Sequence, residues 1–334
     1  MSTTLPVLWF AIIGFAIVMY VLMDGFVLGI GILAPFADDD AQLDRMMSTA
    51  APIWDGNETW LVLGGAGLFA AFPPAYSLIL SSLYLPVLLM LIALVLRGVS
   101  FEFRFKAHTS KHLWTVCFAI GSIAAAFAQG VMLGAIVEGM PLQGGKYLDR
   151  PFDWFSPFSM LTGVALVFGY ALLGSTWLIL KTDGRLQEIV FALTRPLVAV
   201  VVCFMALVST WLPFLSSEIM NRWFESGNFI WLFPVPVLAL INAWLLWRTV
   251  ARKREVAPFV LALSFFGLGF VGLLVGIWPN LVPPTLTIWK AAAPPSSQGF
   301  VLVGVVVMLP AVLGYTWWSY SIFRGKVTGD SGYH

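Results

Sequence analysis

The chain of 334 residues is 60% hydrophobic and only 10% charged, with a formal net charge of +1. Soluble globular domains carry about 25% charged residues, so this composition excludes a soluble domain and indicates an integral membrane protein. A net charge near zero, without a basic cluster interleaved with aromatic residues, argues against nucleic acid as a partner. Cys117 and Cys203 stand singly in hydrophobic runs and predict neither a disulfide nor a metal site.

Hydrophobic runs define the expected architecture. A helix needs about 20 apolar residues to cross a hydrocarbon core of roughly 30 Å, and we count nine such runs. They predict spans at 5–33, 51–72, 76–96, 113–137, 157–180, 195–215, 229–248, 257–279 and 298–322. The first run lacks the features of a cleavable signal peptide and predicts a retained span. We therefore expect an all-α integral membrane protein with nine transmembrane helices in a single domain over 1–334.

The second run is the least regular of the nine. Residues 60–72 alone are too short to cross a bilayer, so the helix must extend back through Asp55. The connection at 72–75 contains two prolines and is very short, which predicts a tight hairpin between the second and third spans.

Lysine and arginine residues orient the predicted spans. If the N-terminus is outside, all of these residues fall on the inner side except Lys146, Arg150, Arg222 and Lys290. Membrane proteins concentrate lysine and arginine in their cytoplasmic loops. The sequence thus predicts a periplasmic N-terminus and a cytoplasmic C-terminus.

Carboxylates occur where the bilayer should exclude them. Asp24 lies roughly 28 Å along the first helix, in the inner third of the membrane, at 1.5 Å per residue. Asp55 and Glu58 begin the second helix from the same side, and Arg97 ends the third helix there. We expect these four groups to converge at one depth. A cation beside clustered carboxylates offsets their desolvation, and such a polar file can relay protons inward.

Structural roles are the alternative for each of these residues. Asp55 and Glu58 near a helix N-terminus can act as caps, and Arg97 can extend its charged end to the inner surface. Asp24 is in mid-helix, where capping is unavailable. Trp54 precedes Asp55, and its flat ring suits either stacking on a quinone head group or anchoring at the interface. No histidine lies in a hydrophobic run, so no metal site is predicted.

Five segments of the chain resemble subunit II of the cytochrome bd quinol oxidases. The matching segments are 23–31 (MDGFVLGIG), 51–60 (APIWDGNETW), 69–73 (FAAFP), 97–104 (RGVSFEFR) and 286–289 (LTIW), the last with Ser296 and Ser297. The resemblance extends over nearly the whole chain. The segment 289–297 is closer to the branch known as cyanide-insensitive oxidases.

The resemblance implies a heterodimer in which subunit I carries the haems, two of b type and one of d type, or b type only. It also implies electrogenic, non-pumping quinol oxidation in the bacterial inner membrane, with oxygen reduced to water by protons from the cytoplasm. Subunit II would hold no haem, would contact quinol and lipid, and would adjoin a small single-span accessory subunit in some members. Asp24, Asp55 and Arg97 match positions discussed for a proton path, and Trp54 matches one linked to quinone.

Two departures from the family pattern bear on the proton path. Many members have a second acidic residue three positions after Asp24, where this chain has Val27. Position 58 is often glutamine in other members, whereas this chain has Glu58.

The sequence thus predicts subunit II of a bd-type quinol oxidase that scaffolds subunit I and lines a proton path through Asp24, Asp55, Glu58 and Arg97. One alternative is a proton-coupled secondary transporter, although no paired broken helices or inverted repeat are evident. The other is a purely structural membrane subunit whose carboxylates hold helices together.

Overall fold

The computed structural model describes residues 4–140, 142–143, 146–147, 152–224, 227–284 and 286–327. The side chains of Lys146 and Arg150, two of the predicted outer cations, lie outside this description. The described chain is almost entirely helical. Its helices are α1 Thr4–Leu33, α2 Asp40–Ser48, α3 Trp54–Ala71, α4 Pro73–Ser82, α5 Tyr84–Lys106, α6 Lys111–Glu138, α7 Pro157–Lys181, α8 Gly184–Leu215, α9 Ser217–Phe224, α10 Phe229–Leu232, α11 Pro234–Ala251, α12 Ala257–Ile277 and α13 Pro295–Ile322.

Short strands and turns connect some of these helices. β1 Leu142–Gln143 pairs with β2 Lys146–Tyr147, and β3 Asn280–Val282 pairs with β4 Leu286–Thr287, both antiparallel. Ala34–Phe36 form a 3-10 turn after α1.

Eight described helices are long and apolar enough to cross a membrane: α1, α5, α6, α7, α8, α11 with the adjoining α10, α12 and α13. The predicted second span is α3, which is not among the eight because its first turns contain Asp55, Asn57 and Glu58. The count of nine is therefore not reached by length and hydropathy alone.

The predicted third span needs a correction. Residues 76–96 fall on two helices, because the chain breaks at Leu83 between α4 and α5. The long helix begins at Tyr84 and continues to Lys106, so Arg97 lies inside it and does not end it. Two prolines open α4, and the missing backbone donor of proline is tolerated in a first helical turn.

Polar residues begin two other helices. Asp39 accepts a hydrogen bond from the backbone of Gln42 at the start of α2. Ser156 and Ser159 form a reciprocal capping box before α7, with Pro157 at the first helical position. These contacts satisfy donors that a helix N-terminus otherwise leaves free.

The centre of the bundle is α1, which packs against α3, α6 and α7. Every residue of α1 from Asp24 to Gly31 is buried, so this half of the helix is surrounded by protein. Glycines permit the closest approaches. A Cβ atom at Gly29 would lie 1.9 Å from the carbonyl oxygen of Tyr170 in α7, and one at Gly174 would lie 2.4 Å from the backbone of Gly29. Small residues at such crossings let membrane helices approach closely.

The periphery of the bundle is apolar and exposed. Helices α8, α11 and α12 bury only a small part of their surface within the chain, and α13 buries almost none. Val303, Val307 and Trp317 of α13 and Val62 and Phe69 of α3 are among the exposed hydrophobic side chains. In a membrane protein such faces meet lipid or another subunit.

Ion pairs bind the helix ends near α2. The buried Arg104 side chain of α5 contacts Asp44 and lies 2.9 Å from Asp40, and Lys111 lies 2.8 Å from Asp44. Arg104 lies beyond the predicted third span of 76–96, and these carboxylates explain its place in the last turns of α5.

The segment after α13 is fastened to the same end. The Lys181 ammonium donates to the carbonyl oxygens of Phe323 and Gly325, and Arg45 bridges the carbonyl oxygen of Val327 and the carboxylate of Asp183. These contacts join residues 323–327 to the ends of α2 and α7.

We predict that Gly29→Ala lowers the thermal midpoint of the purified protein, because the new methyl group meets backbone atoms of α7 that cannot move aside. Overpacking of this kind costs about 1–3 kcal/mol. Gly267→Ala in α12 is the matched control, since a Cβ atom there meets nothing within 4 Å. Its midpoint should be unchanged or higher, because alanine favours a helix by about 1 kcal/mol over glycine. An equal midpoint for both variants would contradict the α1–α7 contact.

Candidate functional site

Three of the predicted site residues meet inside the bundle. The Arg97 Nη2 atom lies 2.8 Å from Oδ1 and 2.7 Å from Oδ2 of Asp24, and 3.0 Å from Oε1 of Glu58. Asp24 comes from the last third of α1, Glu58 from the first turns of α3 and Arg97 from the interior of α5. We refer to Asp24, Glu58 and Arg97 as the carboxylate cluster.

Burial differs among the three side chains. Asp24 and Arg97 are 0% exposed, whereas Glu58 is 30% exposed. Removing one partner of a buried ion pair costs about 3–5 kcal/mol, because the other charge is left uncompensated. When both carboxylates are ionised the cluster carries one negative charge more than Arg97 balances, and uptake of one proton makes it neutral. The arrangement is therefore suited to holding and releasing a proton.

Two nitrogen atoms of Arg97 remain without a partner among the described residues. Nε and Nη1 are buried and donate to no protein acceptor there, because Asp24 and Glu58 both contact Nη2. Buried polar groups without a protein partner are usually bonded to ordered water. The guanidinium thus keeps two N–H donors that ordered water beside the carboxylates can satisfy.

Trp54 forms one wall of the cluster. Its ring stacks on Phe101 with 5.4 Å between centroids and an interplanar angle of 4°. The Arg97 guanidinium lies 5.5 Å from the Trp54 centroid, within the range of a cation–π contact. A Cβ atom at Gly98 would lie 3.1 Å from the ring, so glycine at this position leaves space for the indole.

Asp55 does not join the cluster. Its side chain is exposed in the first turn of α3, and it forms no hydrogen bond or ion pair with the described residues. Two carboxylates one turn apart on α3 thus differ in burial: Asp55 is exposed, whereas Glu58 reaches Arg97.

A chain of neutral polar residues adjoins Asp24. Tyr20 lies one turn before Asp24 on α1, and both side chains are buried on that helix. Gln129 Nε2 of α6 donates to the Tyr20 hydroxyl at 2.8 Å, and the Tyr170 hydroxyl of α7 donates to Gln129 Oε1 at 2.7 Å. Sequence reasoning missed all three, and the only signal was the four-residue spacing of Tyr20 from Asp24.

Asn57 was also missed, and it ties α3 to two other helices. Its Nδ2 atom donates to the carbonyl oxygen of Met23 at 2.9 Å, and its Oδ1 atom accepts from the Tyr320 hydroxyl of α13 at 3.0 Å. The amide lies next to Glu58 in sequence, so these bonds hold the start of α3 against the α1 residues that precede Asp24.

Among the described residues, no group of three or more histidine, cysteine, aspartate or glutamate side chains is placed to hold a metal ion.

Comparisons with known proteins agree with one another. The family described as "Cytochrome bd terminal oxidase subunit II" matches residues 5–323. The chain is 26% identical to the cytochrome bd-I ubiquinol oxidase subunit 2 of Escherichia coli strain K12, over 97% of this chain and 95% of that protein. It is 28% identical to the cytochrome bd ubiquinol oxidase subunit 2 of Bacillus subtilis strain 168, over 96% of each chain.

The fold is also that of a solved bd oxidase chain. A chain in the structure of the bd oxidase from Geobacillus thermodenitrificans superposes with a TM-score of 0.81, covering 96% of this chain and 99% of that one at 17% sequence identity. The family match over nearly the full length agrees with the resemblance of the 23–31 and 51–60 motifs. The chain belongs to the cytochrome bd terminal oxidase subunit II family and is the second subunit of a quinol oxidase, a multi-pass oxidoreductase subunit of the bacterial inner membrane.

Proposed function

We propose that this subunit scaffolds the haem-bearing subunit I and lines a path that carries protons from the cytoplasm for oxygen reduction. The observation that carries the proposal is the carboxylate cluster, in which the buried Asp24 and the partly exposed Glu58 share Arg97. Placing a charged side chain inside a membrane costs free energy, so three charged side chains at one point favour a transport or catalytic role over a purely structural one.

The path begins at the surface of α3. Asp55 is exposed, Glu58 is partly exposed and Asp24 is fully buried, so the three carboxylates form a series of decreasing solvent access. A proton that reaches Glu58, directly or by way of Asp55, neutralises the excess charge of the cluster. Arg97 contacts both inner carboxylates through one nitrogen and can remain paired with either as the proton moves between them.

The path opens to the cytoplasm in the topology that we favour. If α3 is added to the eight apolar helices, the chain has nine spans and its termini lie on opposite sides of the membrane. The distribution of lysine and arginine then places the N-terminus in the periplasm and the C-terminus in the cytoplasm. The 18 residues of α3 are about 27 Å long, close to the thickness of a hydrocarbon core. Its polar residues Asn57 and Glu58 have partners inside the protein, which lowers the cost of placing them in the membrane.

The partner and cofactors follow from the family. Membership implies a subunit I, and we place the b-type and d-type haems, or b-type haems only, in that partner. The exposed apolar faces of α3 and α13 offer a surface for it, and lipid covers the remaining faces. Trp54, whose side chain is partly exposed, is our candidate for a quinone contact. A small single-span accessory subunit is a further candidate partner.

The alternatives are weighed by the same observations. Family membership disfavours a secondary transporter. The competing hypothesis is that the carboxylate cluster has only a structural role, since buried ion pairs also hold helices in register. Variants that keep the fold but remove proton exchange separate the two.

We predict that Asp24→Asn in the assembled oxidase lowers oxygen consumption per haem by about tenfold or more, the effect expected when a proton-transfer group is lost. The amide keeps the shape and can still accept from Arg97, so haem content should be unchanged. Glu102→Gln on the exposed face of α5 is the control and should retain full turnover. Full turnover of Asp24→Asn with intact haem would exclude Asp24 from the path.

Asp55→Asn tests the outer end of the path. We expect slower oxygen reduction with intact haem content, and a smaller loss than for Asp24→Asn, because Glu58 is itself partly exposed and can take up protons directly. Oxygen uptake and a reduced-minus-oxidised spectrum on the same sample provide the measurement. Turnover equal to that of the parent protein would assign Asp55 a structural role.

A charge-neutral double variant separates packing from proton transfer. Arg97→Gln alone leaves Asp24 buried without a counter-charge, so we expect little assembled oxidase, consistent with a cost of about 3–5 kcal/mol. Arg97→Gln combined with Asp24→Asn removes both charges and should recover assembly but not turnover. Recovery of both assembly and turnover would show that the pair only holds α1 against α5.

A further inference from the structure

We infer that Gln129 is a positioning residue that, through Tyr20, holds the Asp24 carboxylate in its proton-transferring geometry. This inference rests on the proposed proton path and extends it to α6 and α7. Gln129 contacts neither Asp24 nor Arg97 in the described hydrogen bonds and ion pairs, so its effect passes through Tyr20.

The direction of the hydrogen bonds is the first argument. An amide nitrogen can only donate and an amide oxygen can only accept. Gln129 Nε2 donates to Tyr20 and Gln129 Oε1 accepts from Tyr170. Because the Tyr20 oxygen already accepts this bond, its own proton is free to point elsewhere, and the carboxylate of Asp24, four residues further along the same face of α1, is a neighbouring acceptor.

With Tyr20 directed at Asp24, the series of hydrogen bonds runs in one direction, from the Tyr170 hydroxyl through the Gln129 amide to Tyr20 and then to Asp24. Hydrogen bonds aligned in this way polarise one another. Donors directed at a carboxylate stabilise its charged form, which is the form that pairs with Arg97 and accepts the incoming proton.

Burial is the second argument. Tyr170 is 0% exposed and Tyr20 is 3% exposed, and both sit where α1, α6 and α7 are in close contact. A glutamine side chain in a membrane helix that satisfies two tyrosine hydroxyls on two other helices fixes the rotamers of both.

The amide also limits what the chain can do. A tyrosine, an amide and a second tyrosine in series cannot pass a proton without tautomerising the amide. The series of hydrogen bonds thus positions Asp24 from one side. On the other side, Glu58 exchanges protons with Asp24 while Arg97 stays paired with both.

The test compares three variants in the assembled oxidase, each measured per haem. We expect Tyr20→Phe to lower kcat most and Gln129→Leu to lower it about fivefold, the size of one lost hydrogen bond. Tyr170→Phe should have the smallest effect, since it only polarises the amide. The KM values for quinol and oxygen should be unchanged, and the solvent deuterium isotope effect on kcat should rise as proton delivery becomes limiting.

Ser175→Ala is the matched control for Tyr170→Phe, because it removes one buried hydroxyl from the same helix that bonds only to the carbonyl oxygen of Leu172. It should change neither kcat nor the isotope effect. If Gln129→Leu does not assemble, Tyr170→Phe decides the question, since it removes a single oxygen atom.

The outcomes distinguish this inference from the proposed function. If Asp24→Asn slows turnover while Gln129→Leu and Tyr170→Phe leave kcat and the isotope effect unchanged, the positioning role is overturned and the proton path stands. If Asp24→Asn itself retains full turnover, the proton path fails and the positioning role fails with it. An unchanged kcat per haem and an unchanged isotope effect in the Gln129→Leu enzyme that does assemble would also overturn the inference.

Discussion

The buried guanidinium of Arg97 is the group to which the surrounding structure is adapted. A cation with no solvent exposure must be matched by anions, and Asp24 of α1 and Glu58 of α3 supply them within 3.0 Å. This requirement draws three helices together at one point. The Trp54 ring beside the guanidinium and the small residue at Gly98 complete the enclosure.

The same requirement explains how the bundle is built around α1. Charges inside a low-dielectric interior are tolerated only when their geometry is rigidly held. Gly29 and Gly174 allow α1 and α7 to touch at the backbone, and Asn57 bonds α3 to α1 and α13. These contacts lie close to the carboxylate cluster, in the half of α1 where every residue from Asp24 to Gly31 is buried.

A single surplus carboxylate links this architecture to the activity of the oxidase. Oxygen reduction consumes protons, and a cluster with one cation and two carboxylates can carry one proton without leaving a net charge in the membrane. In the path that we propose, graded access from Asp55 to Glu58 to Asp24 supplies a direction, and the hydrogen bonds from Tyr170 through Gln129 to Tyr20 position the innermost carboxylate.

Composition and hydropathy determined the membrane class, the helical fold and most of the spans, because a bilayer demands long apolar helices whatever the tertiary contacts. The family motifs identified the oxidase. The tertiary structure decided which carboxylate reaches Arg97: Asp55 and Glu58 are only three residues apart, and the polar residues around the start of α3 do not indicate which face is buried. It also decided that α5 continues to Lys106, since ion pairs from α1, α2 and α3 neutralise its arginines. The sequence did not predict the roles of Tyr20, Gln129 and Tyr170. Their hydrogen-bond partners lie on helices far away in sequence, and a neutral side chain gives no sign of its role without its partners.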